Sequence, residues 1–121
     1  MLEIVQSLSL PGDSAKPNED AFGHTPNAAV VLDGATGLGE QLLPGPSDAA
    51  WIATFGARRL MAHVRDGDAP DKALAHALID AEKSYQGLRR RAPKEKYEIP
   101  LAAMIFVAES EGALEIGRAH V

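Results

Sequence analysis

The sequence of 121 residues predicts one small α+β domain, and three observations support this fold class. Apolar segments of strand length occur towards both ends of the chain. Two helix-type segments follow one another in the middle, and strands and helices do not alternate. Two consecutive helices after a set of strands favour a layered α+β arrangement over a series of βαβ units.

Three strands are predicted before the helices. Residues 2–10 largely alternate apolar and polar side chains, and this segment ends at Pro11-Gly12. Residues 21–24 predict a short second strand, which ends at a turn formed by Thr25-Pro26-Asn27. The continuous apolar run of residues 28–32 follows, and such a run is typical of a buried strand.

Two helices follow a loop, residues 34–46, that is rich in glycine and proline. Ser47 or Asp48 can cap the first helix, which is predicted to reach about Arg65. The second helix is predicted to begin at Asp68, with a proline in its first turn. Its apolar positions step by three and four residues and predict an amphipathic helix: Leu74, Leu78, Ala81, Tyr85 and Leu88.

The last part of the chain predicts a β-hairpin. A basic linker, residues 89–96, follows the second helix, and we interpret its charges as a solvated helix end. Residues 101–108 form another apolar run of strand length. Glu111-Gly112 predicts a hairpin turn into a final strand from Ala113.

Composition excludes several classes of function. The formal net charge of −5 argues against nucleic acid as a partner, because phosphate backbones bind basic surfaces. Without cysteines the chain has no disulfide, zinc–thiolate site or cysteine nucleophile. The N-terminus lacks the pattern of a signal peptide, and no apolar run approaches the length of a membrane span. We therefore expect a cytoplasmic protein with no nucleic-acid or membrane partner.

Carboxylates stand at the ends of two neighbouring predicted strands. Glu19 and Asp20 precede one strand, and Asp33-Gly34 follows the buried run of the next. A carboxylate at such a place needs a hydrogen-bond donor or a cation, and hard divalent cations take carboxylate, carbonyl and water oxygens together. Two structural interpretations remain open: Asp33 caps the Gly34 turn, and the Glu19-Asp20 pair lies in a solvated loop.

The combination of Asn-Glu-Asp-Ala at residues 18–21 with Val-Val-Leu-Asp-Gly at residues 30–34 is more specific than either motif alone. Together they resemble the opening of the metal-dependent serine/threonine protein phosphatases of type 2C, the PPM family. The two helices, the later apolar strand and the hairpin occur in the same order. The resemblance implies a four-layer α-β-β-α sandwich, of which this chain would supply the N-terminal half. Many members of the family follow Asp-Gly with Gly and His, whereas Ala35-Thr36 follow it here, so we interpret the chain as a divergent, bacterial-type branch.

The resemblance also implies the chemistry and the site residues. Asp33 would bridge two Mn²⁺ or Mg²⁺ ions, and Gly34 would offer its backbone carbonyl to one of them. Glu19 and Asp20 would hold a metal ion or its waters. A metal-bound water would hydrolyse the phosphomonoester of a phosphoprotein substrate. The position of the family's phosphate-binding Arg is occupied by Ala15 in this chain. The neighbouring Lys16 would then bind the substrate phosphate in its place.

The resemblance further implies that residues 1–115 are a partial phosphatase domain, because the family's remaining metal-binding aspartates come later in its sequence. We expect such a portion to fold poorly alone, to bind metal weakly and to be nearly inactive. Residues 116–121, IGRAHV, are what a widely used sequencing adapter encodes in one reading frame. Under that hypothesis this tail is not native.

Two other functions are open. A phosphatase-like module without the family's Arg would bind phosphoproteins without hydrolysing them. The glycines of residues 34–37 also fit part of a Rossmann-type nucleotide-binding turn, although Glu40 replaces its third glycine and Pro46 delays its helix. The histidines show no spacing typical of metal ligands, and we interpret His63 and His76 as helix-surface or partly packed residues.

Overall fold

The computed structural model describes residues 2–4, 6–12, 15–35, 39–110 and 113–120. They form one antiparallel sheet with strand order β1-β2-β3-β4, and two helices lie between the two hairpins in sequence. The elements are β1 (Asp20–Thr25), β2 (Ala28–Gly34), α1 (Asp48–Arg65), α2 (Pro70–Leu88), β3 (Ala102–Ser110) and β4 (Ala113–His120), with a short 3₁₀ turn at Lys96–Glu98. The predicted α+β class is confirmed.

The sheet has one covered face and one open face. Side chains of β2 alternate, so that Leu32 is buried beneath the helices while Val31 is 57% exposed on the other side. In β3, Met104 and Phe106 lie on the covered face and Ile105 is exposed. The apolar runs predicted two strands, but the expectation that residues 28–32 are buried is met on one face only, because the helices cover only that face.

The core lies between the covered face and the helices. α1 contributes Ile52 and Leu60, which are buried in this core. α2 instead buries an alanine stripe at Ala73, Ala77 and Ala81, while Leu78 and Leu88 are 40% and 49% exposed. Of the predicted apolar stripe, Ala81 is buried and Leu74 packs against the core, so the buried side of α2 is rotated by part of a turn from the predicted one. Alanines at the contact let the two helix backbones approach closely, and this close packing determines which side of α2 faces inward.

The predicted strand over residues 2–10 is absent from the described parts, residues 2–4 and 6–10. Leu2 donates its backbone N–H to the Pro26 carbonyl at 2.6 Å, and Leu8 and Leu10 are exposed. This segment lies along the open face beside Phe22 rather than pairing with the edge of β1. Alternation of side chains does not make a strand without a hydrogen-bonded neighbour. The turn predicted at residues 111 and 112 lies outside the described residues.

The direction of the strands bears on the nucleotide-binding alternative. β2 and β3 are antiparallel, with Leu32 opposite Met104. A Rossmann-type site requires parallel strands joined by a helical crossover, with the helix starting directly after the glycine-rich turn. Here α1 begins only at Asp48. Within the described residues, no helix combines the length and hydrophobicity needed to cross a membrane.

The linker before β3 is anchored by a buried carboxylate. Glu98 is buried and accepts hydrogen bonds from Arg91 and from the backbone N–H of Lys94 at 2.7 Å. Arg91 also contacts Glu40 at 3.3 Å, so it joins this linker to the loop before α1. The interpretation of the basic linker as solvated is therefore wrong for Arg91, whose partners lie 7 and 51 positions away in the chain and give no local signal.

The pKa of Glu98 predicts a specific response to acid. It is lowered from 4.5 to about 2, first by the hydrogen bond from Arg91 and next by that from the Lys94 backbone. The folded-state pKa is below the unfolded-state value, so this contribution to stability is complete above pH 4.5 and is lost as the pH falls towards 2. We expect the difference in unfolding free energy between wild type and Glu98→Gln to shrink over that range.

Urea unfolding at a series of pH values checks this expectation. Glu82→Gln, an exposed substitution on α2, is the matched control and should differ from wild type by a small amount that does not vary with pH. A difference for Glu98→Gln that stays constant as the pH falls from 5 to 2 would contradict the assigned role of the Arg91 contact.

Candidate metal centre

Two of the predicted site carboxylates meet on the open face of the sheet. Asp20 opens β1 and Asp33 lies near the end of β2, and the antiparallel register places them directly opposite one another. Residues so paired have Cβ atoms about 4.5–5.5 Å apart. Both are exposed, and both line a cleft of about 630 Å³ that continues past Phe22 and Val31. The hairpin therefore converts two distant positions in the sequence into one acidic pair.

The electrostatics of this pair are unfavourable without a cation. Burial raises the pKa of Asp20, and a hydrogen bond with Asp33 and the charges of Asp33 and Glu19 raise it further. Like charges directly opposite each other in a sheet are destabilising. Within the described residues, neither Asp20 nor Asp33 forms an ion pair with a lysine or arginine. A divalent cation between the two carboxylates would remove the repulsion.

Gly34 positions the end of β2 against its neighbours. Its backbone N–H donates to the Glu19 carbonyl at 2.8 Å, just before β1 begins. A Cβ atom at this position would lie 2.5 Å from that carbonyl oxygen and 2.6 Å from the carbonyl oxygen of Ala49. Only glycine allows three backbone segments to approach this closely. The close approach fixes Asp33 relative to both β1 and the start of α1.

Glu19 has a different environment from the aspartate pair. Its carboxylate accepts a hydrogen bond of 2.8 Å from the Ser47 hydroxyl, which in turn caps α1 by accepting from the Ala50 N–H at 3.0 Å. A carboxylate at a helix N-terminus is favoured by the helix dipole. Glu19 lines a second cleft of about 500 Å³, together with Lys16 and Gln41. The structure thus separates the predicted set: Asp20 and Asp33 share one cleft, whereas Glu19 and the exposed Lys16 share the other.

Of the two predicted caps, Ser47 and Asp48, it is Ser47 that caps α1, and its hydrogen bond to Glu19 was not predicted because the two residues are 28 positions apart. Sequence analysis also missed a group of histidine and aspartate side chains on the helix pair, centred on His63 and His76. Asp80 of α2 contacts His63 and Arg59 of α1, whereas His76 contacts Asp68 in the turn between the helices. These contacts join separate elements, so no spacing within one helix indicated the group.

Comparisons with protein-family models, curated proteins and solved structures found no match to this chain. The fold and the site define the chain as a small α+β domain with an acidic cross-strand pair. Its functional assignment depends on the chemistry of that pair.

Proposed function

We propose that this chain carries one side of the metal site of a Mn²⁺- or Mg²⁺-dependent serine/threonine protein phosphatase of type 2C. The observation that supports this function best is the direct pairing of Asp20 with Asp33 at the end of the β1–β2 hairpin. The motif resemblance assigns metal binding to these two residues among others. The register then brings the same two residues together across 13 positions of sequence.

The donor set suits a hard divalent cation. Two carboxylates with four oxygens, in a solvent-accessible cleft and without described ion-pair partners, are typical ligands of Mg²⁺ and Mn²⁺. Four carboxylate oxygens leave several positions of an octahedral ion for water and for substrate oxygens. The pKa of Asp20 is raised first by burial and then by the hydrogen bond and charge of Asp33 and the charge of Glu19, and a carboxylate in such surroundings favours either a proton or a metal ion.

The open face of the sheet supports the proposed sandwich. Exposed apolar side chains occupy it on all four strands: Phe22, Val31, Ile105 and Leu114. An exposed apolar surface of this kind is typical of an interaction surface, and two antiparallel sheets commonly pack face to face. In the proposed fold a second sheet covers this face. The acidic pair would then lie at the mouth between the two sheets.

The roles of the chain's own residues follow from their contacts. Asp20 and Asp33 hold the ions, and Gly34 keeps the two strand ends together through the Glu19 carbonyl. Glu19 acts through this carbonyl and through its charge, while its carboxylate remains bound to Ser47. Lys16 offers a point charge for a phosphate from the neighbouring cleft. When bound, the metal pair supplies an activated water and positive charge for the phosphoryl oxygens of a phosphoprotein.

Metal binding by the full chain tests this proposal. We expect Mn²⁺, followed by the paramagnetic relaxation of water protons or by calorimetry, to bind weakly to wild type. Asp33→Asn should weaken that binding by about 10-fold or more. Loss of even a residue that only hydrogen-bonds to a metal ligand lowers metal affinity by about 10–100-fold. The matched control is Glu82→Gln, an exposed carboxylate on α2, which should leave Mn²⁺ affinity unchanged.

Hydrolysis of 4-nitrophenyl phosphate separates the catalytic function from the binding-only alternative. Low, Mn²⁺-dependent turnover that disappears in Asp33→Asn supports a phosphatase. Mn²⁺ binding that depends on Asp33, without any turnover even at high protein concentration, supports a phosphatase-like binding module. Equal Mn²⁺ affinity in wild type and Asp33→Asn would refute the site.

A further inference from the structure

A second group of potential metal ligands lies where the turn between α1 and α2 meets both helices. His63 is in the last turn of α1, Asp68 is in the connecting turn, and His76 is in α2. One ligand atom from each residue lies within 4.8 Å of the other two. The Asp68 Oδ2 atom is 2.7 Å from His76 Nδ1 and 3.5 Å from His63 Nδ1. Two imidazole nitrogens and one carboxylate oxygen therefore converge on one point.

A fourth residue orients His63. Its Nε2 lies 2.6 Å from the Asp80 carboxylate, which also accepts a hydrogen bond of 3.0 Å from Arg59 Nε. A carboxylate can only accept, so the proton between His63 and Asp80 belongs to Nε2. A metal ion would bind the tautomer in which Nδ1 is free of a proton, and this atom lies 3.5 Å from Asp68 Oδ2. A metal-binding histidine commonly has this arrangement, in which the second nitrogen donates to a carboxylate.

We propose that His63, Asp68 and His76 form a binding site for a zinc-type divalent transition-metal ion, with Asp80 as the positioning residue of His63. Imidazole nitrogen with carboxylate oxygen suits Zn²⁺ and Co²⁺, whereas Mg²⁺ and Mn²⁺ prefer oxygen ligands alone. Zn²⁺ bonds of about 2.0–2.2 Å in a tetrahedral site place ligand atoms about 3.3 Å apart. The two distances to Asp68 Oδ2 lie on either side of that value and all three ligand atoms lie within 4.8 Å of one another, so side-chain rotations would bring them to bonding positions around one ion.

The surroundings allow an ion to enter. His76 is the most accessible ligand, with its side chain 50% exposed, whereas the side chain of His63 is 16% exposed. The three ligands come from α1, the connecting turn and α2, so a bound ion would link the two helices at their joined end. Three protein ligands leave the fourth tetrahedral position to water. This site is independent of the acidic pair in the sheet, since it shares no residue with it.

Titration of the full chain with Co²⁺ and Zn²⁺ tests the site. We expect one Co²⁺ ion per chain to give the visible absorption of a tetrahedral ion and to be displaced by Zn²⁺. His76→Gln should weaken Zn²⁺ binding more than about 10-fold, and Asp80→Asn should weaken it by about 10–100-fold through His63. His76 is half exposed, so the Gln variant should remain folded, which far-UV circular dichroism verifies.

Two control variants separate this site from other metal binding. His24→Gln removes an exposed histidine on β1, and Glu82→Gln removes an exposed carboxylate on α2. Both should keep wild-type Zn²⁺ affinity and the Co²⁺ spectrum. An equal loss of affinity in His24→Gln and His76→Gln would overturn the proposal. Octahedral Co²⁺ spectra, or no saturation near one ion per chain, would instead show that the group is only a hydrogen-bonded network.

Discussion

Leu32→Ala is expected to destabilise the domain by about 2–5 kcal/mol, the range for removing a large aliphatic side chain from a packed core. Leu32 is 1% exposed and lies in the middle of β2, under both helices. Its side chain packs against α1 at Gly56, where an added Cβ would lie 3.0 Å from Leu32 Cδ2. Because the facing position is a glycine with no side chain to move inward, the cavity would persist. Urea unfolding followed by circular dichroism measures the effect.

Val31→Ala is the matched control for Leu32→Ala. Val31 is the preceding residue of the same strand and points to the open face. Val31→Ala removes a similar number of methyl groups from a side chain that is already exposed to water. The loss of unfolding free energy should therefore stay below about 1 kcal/mol, the range spanned by strand propensities. A shift of register by one residue would exchange the two faces. Larger destabilisation by Val31→Ala than by Leu32→Ala would therefore refute the assignment of the covered face.

Gly34→Ala is expected to be the most disruptive conservative substitution near the candidate site. The new methyl group would lie 2.5 Å and 2.6 Å from the carbonyl oxygens of Glu19 and Ala49. Both are backbone atoms, so a side-chain rotation cannot relieve the clash. Overpacking typically costs about 1–3 kcal/mol, and we expect this variant at or above the upper end. Displacement of β2 from the start of β1 should also weaken Mn²⁺ binding by Asp20 and Asp33.

Gly87→Ala serves as the control for Gly34→Ala. Gly87 lies in α2, and an added Cβ meets no atom within 4 Å. The same substitution there should be neutral or should stabilise the domain by up to about 1 kcal/mol, because alanine favours the helix. Comparable stability and Mn²⁺ affinity in Gly34→Ala and wild type would show that the three backbone segments are not held together as described.

Most of the fold follows from local patterns in the sequence. The valine-rich run predicted β2, Ser47 predicted the start of α1, and the apolar run from residue 101 predicted β3. The local patterns gave wrong predictions where contacts between separate elements determine the structure. The alternation in residues 2–10 has no strand partner in the described parts, and the alanine stripe of α2 packs in preference to Leu78. Neither the presence of a partner nor the closeness of two helices is a property of one segment.

The candidate sites were predictable to a smaller extent. The acidic residues at the ends of two neighbouring predicted strands indicated one site formed by Glu19, Asp20 and Asp33, and the hairpin places Asp20 directly opposite Asp33. The position of Glu19 at the cap of α1 depends on how the helix crosses the sheet. The group around His63 depends on the contact between α1 and α2 and on Asp68 in the turn. Contacts between residues far apart in the chain carry no periodic signal.

The order of strands in the sheet has a consequence for the folding pathway. β1–β2 and β3–β4 are hairpins between neighbours in sequence, and α1 packs chiefly on β1 and β2. The β2–β3 pairing alone must close a loop that contains both helices, from residue 35 to residue 101. The unfavourable entropy of closing this loop is therefore concentrated in one folding step, the pairing of β2 with β3. Non-local pairing of this kind slows folding. Packing of α1 against α2 shortens the distance between the end of β2 and the start of β3. We therefore expect the two helices to pack together before the two hairpins pair.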